Sequence, residues 1–145
     1  MLAYFIYFIF YTDSGNKYKL ENNSLKNLTE EEIVENAIIN IKIFLNSSPY
    51  LLKLLDICNE FDKYKLIFFI LNLLKLDNEA NKKTNYESLI ADATHCYFAR
   101  VCDYFITNDI GCKIKSQVAY RILWHARTQV IDIKQASKLF TSKSQ

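Results

Sequence analysis

The sequence predicts a helix-rich α/β domain with a small parallel sheet flanked by helices. Half of the 145 residues are hydrophobic, which is enough for one packed core. Two glycines and one proline provide too few turns for a protein made of many short strands. The C-terminal half alternates helix-like and strand-like segments, as a parallel sheet with crossover helices does. Residues 1–145 are therefore expected to form one domain.

The first eleven residues are almost all apolar or aromatic and read MLAYFIYFIFY. A membrane helix needs about 20 such residues, and this run ends at the polar residues 12–16. It also lacks the basic start of a secretory signal. We therefore expect a strand buried on both faces and no membrane association, with a packed helix as the alternative.

Local signals predict three helices before residue 77. Thr29 and Glu32 have the spacing of a capping box, and apolar residues then recur every three or four positions to about Asn46. Pro49 is suited to the first turn of a second helix. Residues 66–76 are apolar around most of the helix circumference, which predicts a central helix.

The polar segments 17–28 and 77–85 are predicted loops. Thr84 and Glu87 have the spacing of a second capping box at the end of the second loop. The predicted order after this box is helix, strand, helix, strand and helix, over residues 88–101, 103–107, 114–123, 128–131 and 134–139.

Charge and cysteine usage bear on partners and compartment. With 18 basic and 16 acidic residues, the net charge of +2 does not by itself indicate a nucleic-acid binder. The cysteines have no spacing typical of a zinc site. They are expected to be free thiols in a reducing cytoplasm, and they are Cys58, Cys96, Cys102 and Cys112.

Two aspartates in the C-terminal half are candidate metal ligands. Asp92 lies within a predicted helix and has no Lys or Arg three or four residues away. Asp109 follows the first of the two short strands, at the end where open α/β sheets bind ligands. Carboxylates that meet there suit Mg²⁺ or Mn²⁺. The alternatives are a solvated helix aspartate and a residue that caps the next helix.

Three short sequences in this region together resemble the C-terminal half of a PIN domain. They are Asp-Ala-x-His at 92–95, Asp-Tyr-Phe-Ile-Thr-Asn-Asp at 103–109 and Thr-x-Val-Ile at 128–131, with a lysine-containing helix before the last. PIN domains are metal-dependent ribonucleases found in many bacterial toxins and RNA-processing proteins. The resemblance covers residues 86–140 and implies the same helix-flanked parallel sheet.

The resemblance also implies an activity, the hydrolysis of RNA phosphodiester bonds with carboxylate-bound Mg²⁺ or Mn²⁺. Asp92 and Asp109 correspond to two of the family's metal-binding acids. The metal would activate a water and stabilise the charge that develops on the phosphate. Asn108 and Thr107 would orient the acid or the water.

The expected partners follow from the same resemblance. RNA is the expected substrate, and Lys113 and Lys115 are candidates to contact its backbone. An exposed lysine face is the alternative for both. An antitoxin protein and a second copy of the chain are candidate partners.

The N-terminal half departs from the PIN pattern. PIN domains begin with a strand that ends in a metal-binding Asp, and they carry a further acid on an early helix. Asp13 is the candidate for the first acid, although Gly15 interrupts the usual sequence after it. Glu31, Glu35 and Glu60 are candidates for the second, and Glu35 is preferred because it lies one turn beyond the capping box.

Two other classes of function stay open. A chain truncated in its N-terminal part would hold only half of the metal site, and it would be a catalytically inactive PIN-like fragment or a protein-interaction module. A helical adaptor without chemistry is the third class, and a structure without a parallel strand pair would favour it. The position of Asp13 relative to Asp92 and Asp109 separates the first two classes.

Overall fold

The computed structural model describes residues 28–74, 85–125 and 127–141. In chain order these form α1 (Glu30–Ser47), α2 (Pro49–Ile57), α3 (Glu60–Leu74), α4 (Tyr86–Ala99), β1 (Tyr104–Ile106), α5 (Ile110–Ile122), β2 (Gln129–Ile131) and α6 (Ile133–Thr141). The described part of the chain is therefore helix-rich with a small parallel sheet, as predicted. The predicted first strand, Asp13 and nearly all of both predicted loops lie outside the described residues.

The helix starts follow local chemistry. The Thr29 hydroxyl accepts the Glu32 N–H at 3.3 Å, and the Glu32 carboxylate accepts the Thr29 N–H at 2.7 Å, which confirms the capping box. Pro49 lies in the first turn of α2, as predicted. The N-cap of α4 is Asn85, one residue later than predicted, because its side-chain oxygen accepts the Glu87 N–H at 3.2 Å.

The core forms where α3 contacts α1, α4 and α5. Asn59 accepts the Asp62 N–H at 2.9 Å, and this turn starts α3 at Glu60, earlier than the predicted residue 66. Buried side chains cover most of the circumference of α3, which confirms the predicted central helix. They are Tyr64, Leu66, Ile67, Phe68, Ile70, Leu71 and Leu74.

The sheet of the described residues consists of two parallel strands. Tyr104 of β1 is opposite Gln129 of β2, and Ile106 is opposite Ile131. Helix α5 connects the two strands, as the alternation of segments predicted. A parallel strand pair is therefore present. Its absence would have favoured a helical adaptor, so the sheet does not support that class.

Two further sequence predictions concern thiols and membranes. The four cysteines are free thiols, as predicted. Among the described residues, no helix combines the length and the apolar character that spanning a membrane requires.

Candidate functional site

The residues that follow β1 and β2 lie at one edge of the sheet, because the strands are parallel. We call this the carboxyl edge, and it consists of Thr107, Asn108, Asp109 and Asp132. Open α/β sheets bind their ligands at this edge. Three of these four residues were singled out from the sequence, and Asp132 was not.

Asp109 caps α5. Its Oδ1 accepts the backbone N–H of Cys112 at 2.7 Å, and its own N–H is donated to the Thr107 hydroxyl at 3.2 Å. Asn108 Oδ1 accepts the N–H of Ile133 at 3.2 Å, which ties the end of β1 to the start of α6. The predicted alternative, a helix cap, is therefore correct for Asp109. A capping carboxylate uses one oxygen for the cap and keeps a second that can bind a ligand.

Asp92 lies in α4, and its charge acts on two buried thiols. Burial raises the pKa of the Cys112 thiol to about 12, and the negative charges of Asp92 and Asp109 both contribute to the rise. Burial likewise raises the pKa of Cys96 to about 11, with a contribution from Asp92. Both predicted ligands therefore act electrostatically on the Cys112 thiol.

Asp132 caps α6 as Asp109 caps α5. Its Oδ1 accepts the Gln135 N–H at 2.8 Å, and Gln135 Oε1 accepts the Asp132 N–H at 2.9 Å. The Gln135 N–H and the charge of Lys113 hold the pKa of the Asp132 carboxyl below its usual value. The Asp-x-x-Gln spacing of a capping box could have revealed this residue in the sequence.

Lys113 lies one turn after Asp109, and its side chain is only 7% exposed. Its ammonium donates to Glu30 Oε2 at 2.9 Å and to Gln135 Oε1 at 3.2 Å. It is also 3.6 Å from Asp132 Oδ2. The ammonium therefore joins the first turn of α1 to the start of α6.

Lys115 is also buried, with 1% of its surface exposed. All residues of α5 from 111 to 116 are buried, so this end of the helix is covered on every side. The exposed lysine face considered as the alternative is therefore wrong for Lys113 and Lys115. Contact of either lysine with RNA would require its side chain to leave this position.

The acids of α1 are divided between the two ends of α5. Glu35 Oε1 accepts from Arg121 at 2.6 Å, in the last turn of α5 and about 18 Å along the helix from Asp109. Glu31 binds the same guanidinium. The structure therefore does not bring the preferred Glu35 to Asp109.

Glu30 is the acid of α1 that lies at the Asp109 end. Its two oxygens accept from Lys113 Nζ at 2.9 Å and from Gln117 Nε2 at 2.8 Å. Glu60 lies at the other end, where it is 3.4 Å from His125 Nε2. The sequence offered no signal for Glu30 over its neighbours, because the choice depends on how α1 packs on α5.

The donor set of the described residues fits a metal only in part. Within residues 28–74, 85–125 and 127–141, no group of three or more His, Cys, Asp or Glu side chains is arranged to hold a metal ion. Asp92 and Asp109 provide two carboxylates of the type Mg²⁺ takes alongside waters. Glu30 and Asp132 are engaged by Lys113, and Asp13 lies outside the described residues.

Comparison of the chain with protein-family models, with curated proteins and with solved structures gave no match.

Proposed function

We propose that this chain is a PIN-type endoribonuclease that hydrolyses RNA phosphodiester bonds with carboxylate-bound Mg²⁺ or Mn²⁺. The placement of Asp109 supports the proposal most directly. It follows β1 at the carboxyl edge of a parallel sheet, and its charge, like that of Asp92, contributes to the raised pKa of the Cys112 thiol. Two carboxylates from different elements near one such edge are suited to a hard divalent cation.

Asp92 and Asp109 would hold the metal, and Asp13 and Glu30 are the candidates to complete its ligands. When bound, Mg²⁺ or Mn²⁺ supplies an acidified water and positive charge beside the phosphate. Two carboxylates alone would bind such an ion weakly. A third acid is therefore part of the proposal, and Asp13 is the preferred one because it ends the predicted first strand.

The loop from Thr107 to Asp109 would hold the Asp109 carboxylate in place. The Thr107 hydroxyl accepts the Asp109 N–H, the Asp109 side chain accepts the Cys112 N–H, and Asn108 accepts the Ile133 N–H of α6. Such hydrogen bonds hold a metal-binding side chain in one orientation before the substrate binds. Thr107 and Asn108 are positioning residues in this account.

RNA is the proposed substrate and the cytoplasm the proposed compartment. A toxin of this type would need an antitoxin protein as partner to keep the nuclease inactive. The described residues provide no separate observation for a homodimer, which stays a prediction.

The test compares the two proposed metal ligands with a control carboxylate that lies at the opposite end of β1 from Asp109. Asp109→Asn keeps a helix cap, since Asn caps as well as Asp, but removes a charge. Asp92→Asn likewise removes one charge, from the middle of α4. We expect each variant to lower Mn²⁺-dependent cleavage of an RNA oligonucleotide at least about 100-fold, as loss of a metal ligand does. Asp103→Asn is the control, because Asp103 precedes β1, is exposed and pairs with Arg127.

Equal cleavage by wild-type protein, Asp92→Asn and Asp109→Asn would remove the proposal. So would cleavage that does not require a divalent cation. Circular dichroism of each variant checks that the fold is unchanged.

A catalytically inactive PIN-like fragment or interaction module is the second candidate. The finding that no three-acid group is present within the described ranges favours it. This candidate predicts no Mn²⁺-dependent cleavage by any variant, including the wild-type chain. The amount of intact RNA would then be the same with EDTA, which chelates Mn²⁺, as without it.

A further inference from the structure

The surface at the ends of α4 and α5 carries exposed aromatic side chains and a cation. The Phe98 side chain is 64% exposed, and its ring contacts that of Tyr97 with 5.3 Å between centroids. The Arg100 guanidinium lies over the Tyr97 ring, 3.7 Å from its centroid. Trp124, just after α5, is 90% exposed. We call Phe98, Arg100 and Trp124 the aromatic patch.

Ring contacts connect the members of the aromatic patch. Tyr97 contacts Tyr64 with 5.6 Å between centroids, and Tyr64 stacks on His125 at 6.0 Å. His125 directly follows Trp124 in the chain. One cluster of packed rings from α3, α4 and the end of α5 therefore carries the patch. A strand of a few nucleotides is long enough to cover three such ring contacts.

The aromatic patch is separate from the proposed metal site. The Thr128 hydroxyl donates to the carbonyls of Arg100 at 2.9 Å and of Cys102 at 2.8 Å. Because Thr128 precedes β2 and Cys102 precedes β1, these bonds hold the end of α4 at the edge of the sheet opposite to the carboxyl edge. Trp124 likewise follows the end of α5 that is remote from Asp109.

The Arg100 guanidinium has no carboxylate partner in the part of the chain that the structure describes. Its Nη1 donates to the Tyr97 carbonyl at 2.7 Å. The nearest acid in sequence, Asp103, pairs with Arg127 instead, at 3.1 Å. The stack on Tyr97 holds the guanidinium in place while N–H donors remain for a phosphate oxygen. The patch therefore presents a fixed positive charge.

Trp124 is an unfavourable residue for stability at its position. Its φ of 61° is a left-handed conformation that favours glycine, and its indole buries little surface. Glu60, the acid 3.4 Å from the neighbouring His125, is bound by Lys63 at 2.8 Å. The indole thus offers a flat face for a base beside an acid that already has a basic partner.

We propose that the aromatic patch binds single-stranded RNA, with bases stacked on Phe98 and Trp124 and a phosphate bound by Arg100. Exposed aromatic faces beside a free cation are the groups that bind single strands without sequence preference. An acidic peptide would satisfy Arg100 but leave the aromatic faces unused. The choice of RNA rests on the proposed function, in which the patch holds one part of the strand and the carboxyl edge acts on another.

The fluorescence of Trp124 reports binding at the patch, because it is the chain's one tryptophan. The full chain in EDTA is titrated with an RNA of about 12 nucleotides that does not pair with itself. We expect saturable quenching, and at least about tenfold weaker binding of the same RNA as a duplex, whose bases stack on one another. No quenching by the single strand, or equal quenching by the duplex or by polyglutamate, would overturn the inference. Tighter binding of DNA of the same sequence would contradict the choice of RNA.

Two substitutions separate base stacking from the phosphate contact, with affinities measured by the anisotropy of labelled RNA. Phe98→Ala should weaken binding about fivefold or more at each salt concentration, because one stacked base is lost. Arg100→Gln should reduce the slope of log affinity against log salt concentration by about 0.7, because one phosphate contact is lost. Phe98→Ala should leave this slope unchanged.

The chain offers a matched control for each variant. Tyr86→Ala removes an exposed aromatic ring from the other end of α4, about 18 Å along the helix from Phe98. Lys134→Gln removes an exposed charge near the carboxyl edge, at the start of α6. Both controls should bind RNA as wild type does. A control that weakens binding as much as its matched variant would overturn the inference, and circular dichroism checks that each variant is folded.

Failure of this inference is distinguishable from failure of the proposed nuclease. RNA binding in EDTA that depends on Phe98 and Arg100, together with no cleavage in Mn²⁺, would remove the nuclease and keep the inference. Cleavage that depends on Asp109, together with equal RNA affinities of wild type, Phe98→Ala and Arg100→Gln, would do the reverse.

Discussion

The two ends of α5 carry similar ion pairs in different surroundings. In the first turn, the Lys113 ammonium is buried between Glu30 and Asp132. In the last turn, the Arg121 side chain is 38% exposed and contacts two exposed acids of α1. The same pair of helices, α1 and α5, therefore builds a buried charged cluster at one end and a hydrated one at the other.

The difference shows at which end a charge is buried among its partners. Exposed ion pairs contribute about 0–1 kcal/mol and need no special surroundings. A buried charge costs several kcal/mol to desolvate and persists only where a full set of partners is present. The first turn of α5 is also the end that carries Asp109, so the two observations coincide.

Removal of the two cations should separate the ends most clearly. We expect Lys113→Met to lower the free energy of unfolding by about 2 kcal/mol, below the full value for a buried pair because Glu30 and Asp132 are partly exposed. Arg121→Met should cost about 0.5 kcal/mol. Urea unfolding followed by circular dichroism measures both, and equal losses would show that the two clusters do not differ.

Tyr64 provides a second contrast at the Arg121 end of α5. Its ring is fully buried and stacks on His125 with 6.0 Å between ring centroids. Its hydroxyl has no hydrogen-bond partner among the described residues. Because an unpaired buried hydroxyl is destabilising, Tyr64→Phe should raise the free energy of unfolding by about 1 kcal/mol. A loss of stability would mean that a partner, such as a bound water, satisfies the hydroxyl.

Trp124 follows the same end of α5 in a left-handed conformation, with φ of 61°. The His125 N–H donates to the Tyr120 carbonyl at 2.8 Å, as in the helix endings that usually place glycine at this position. The indole is 90% exposed, so few contacts depend on it. Trp124→Gly should raise the free energy of unfolding by about 0.5–1 kcal/mol. Trp124→Ala keeps the Cβ atom and should give no comparable gain in the same urea experiment.

The smallest expected effect is the pH dependence of the carboxyl edge. The folded pKa of Asp132 lies below its usual value because the Gln135 N–H and Lys113 favour the carboxylate. Its contribution to stability is therefore present above the usual pKa and is lost as the pH falls through the folded pKa. Asp132→Asn should reduce the fall in melting temperature between about pH 5 and pH 3. An unchanged fall would mean that other carboxyl groups account for it.

Much of the fold could be predicted because the signals are local. The Thr29 box and the position of Pro49 depend on residues within one turn, and the sequence shows both partners. The parallel strands were predicted from the order of segments, which short connections and handedness restrict. At the start of α4 the sequence contains two neighbouring residues of the types that cap helices, Thr84 and Asn85. The Asn85 side chain forms the cap.

The site was less predictable because it depends on distant parts of the chain. Glu30 and Glu35 lie on one helix with similar sequence context, and only the packing of α1 on α5 separates them. Lys113 and Lys115 are lysines, and lysine side chains are usually exposed in folded proteins. Their burial follows from elements that cover residues 111–116 of α5, and no periodic pattern shows this in advance.

We propose that Asp92 and Asp109 share a divalent ion near the Cys112 thiol, and nuclear magnetic resonance can detect such an ion. Bound Mn²⁺ broadens the signals of nearby nuclei, and Trp124 at the other end of the helix is the chain's one tryptophan. The account predicts early loss of the Cys112 and Ser116 amide signals on titration with Mn²⁺, while the Trp124 indole signal stays sharp. Asp109→Asn should abolish this selective loss. Uniform broadening, or a selective loss that persists in Asp109→Asn, would contradict the claim.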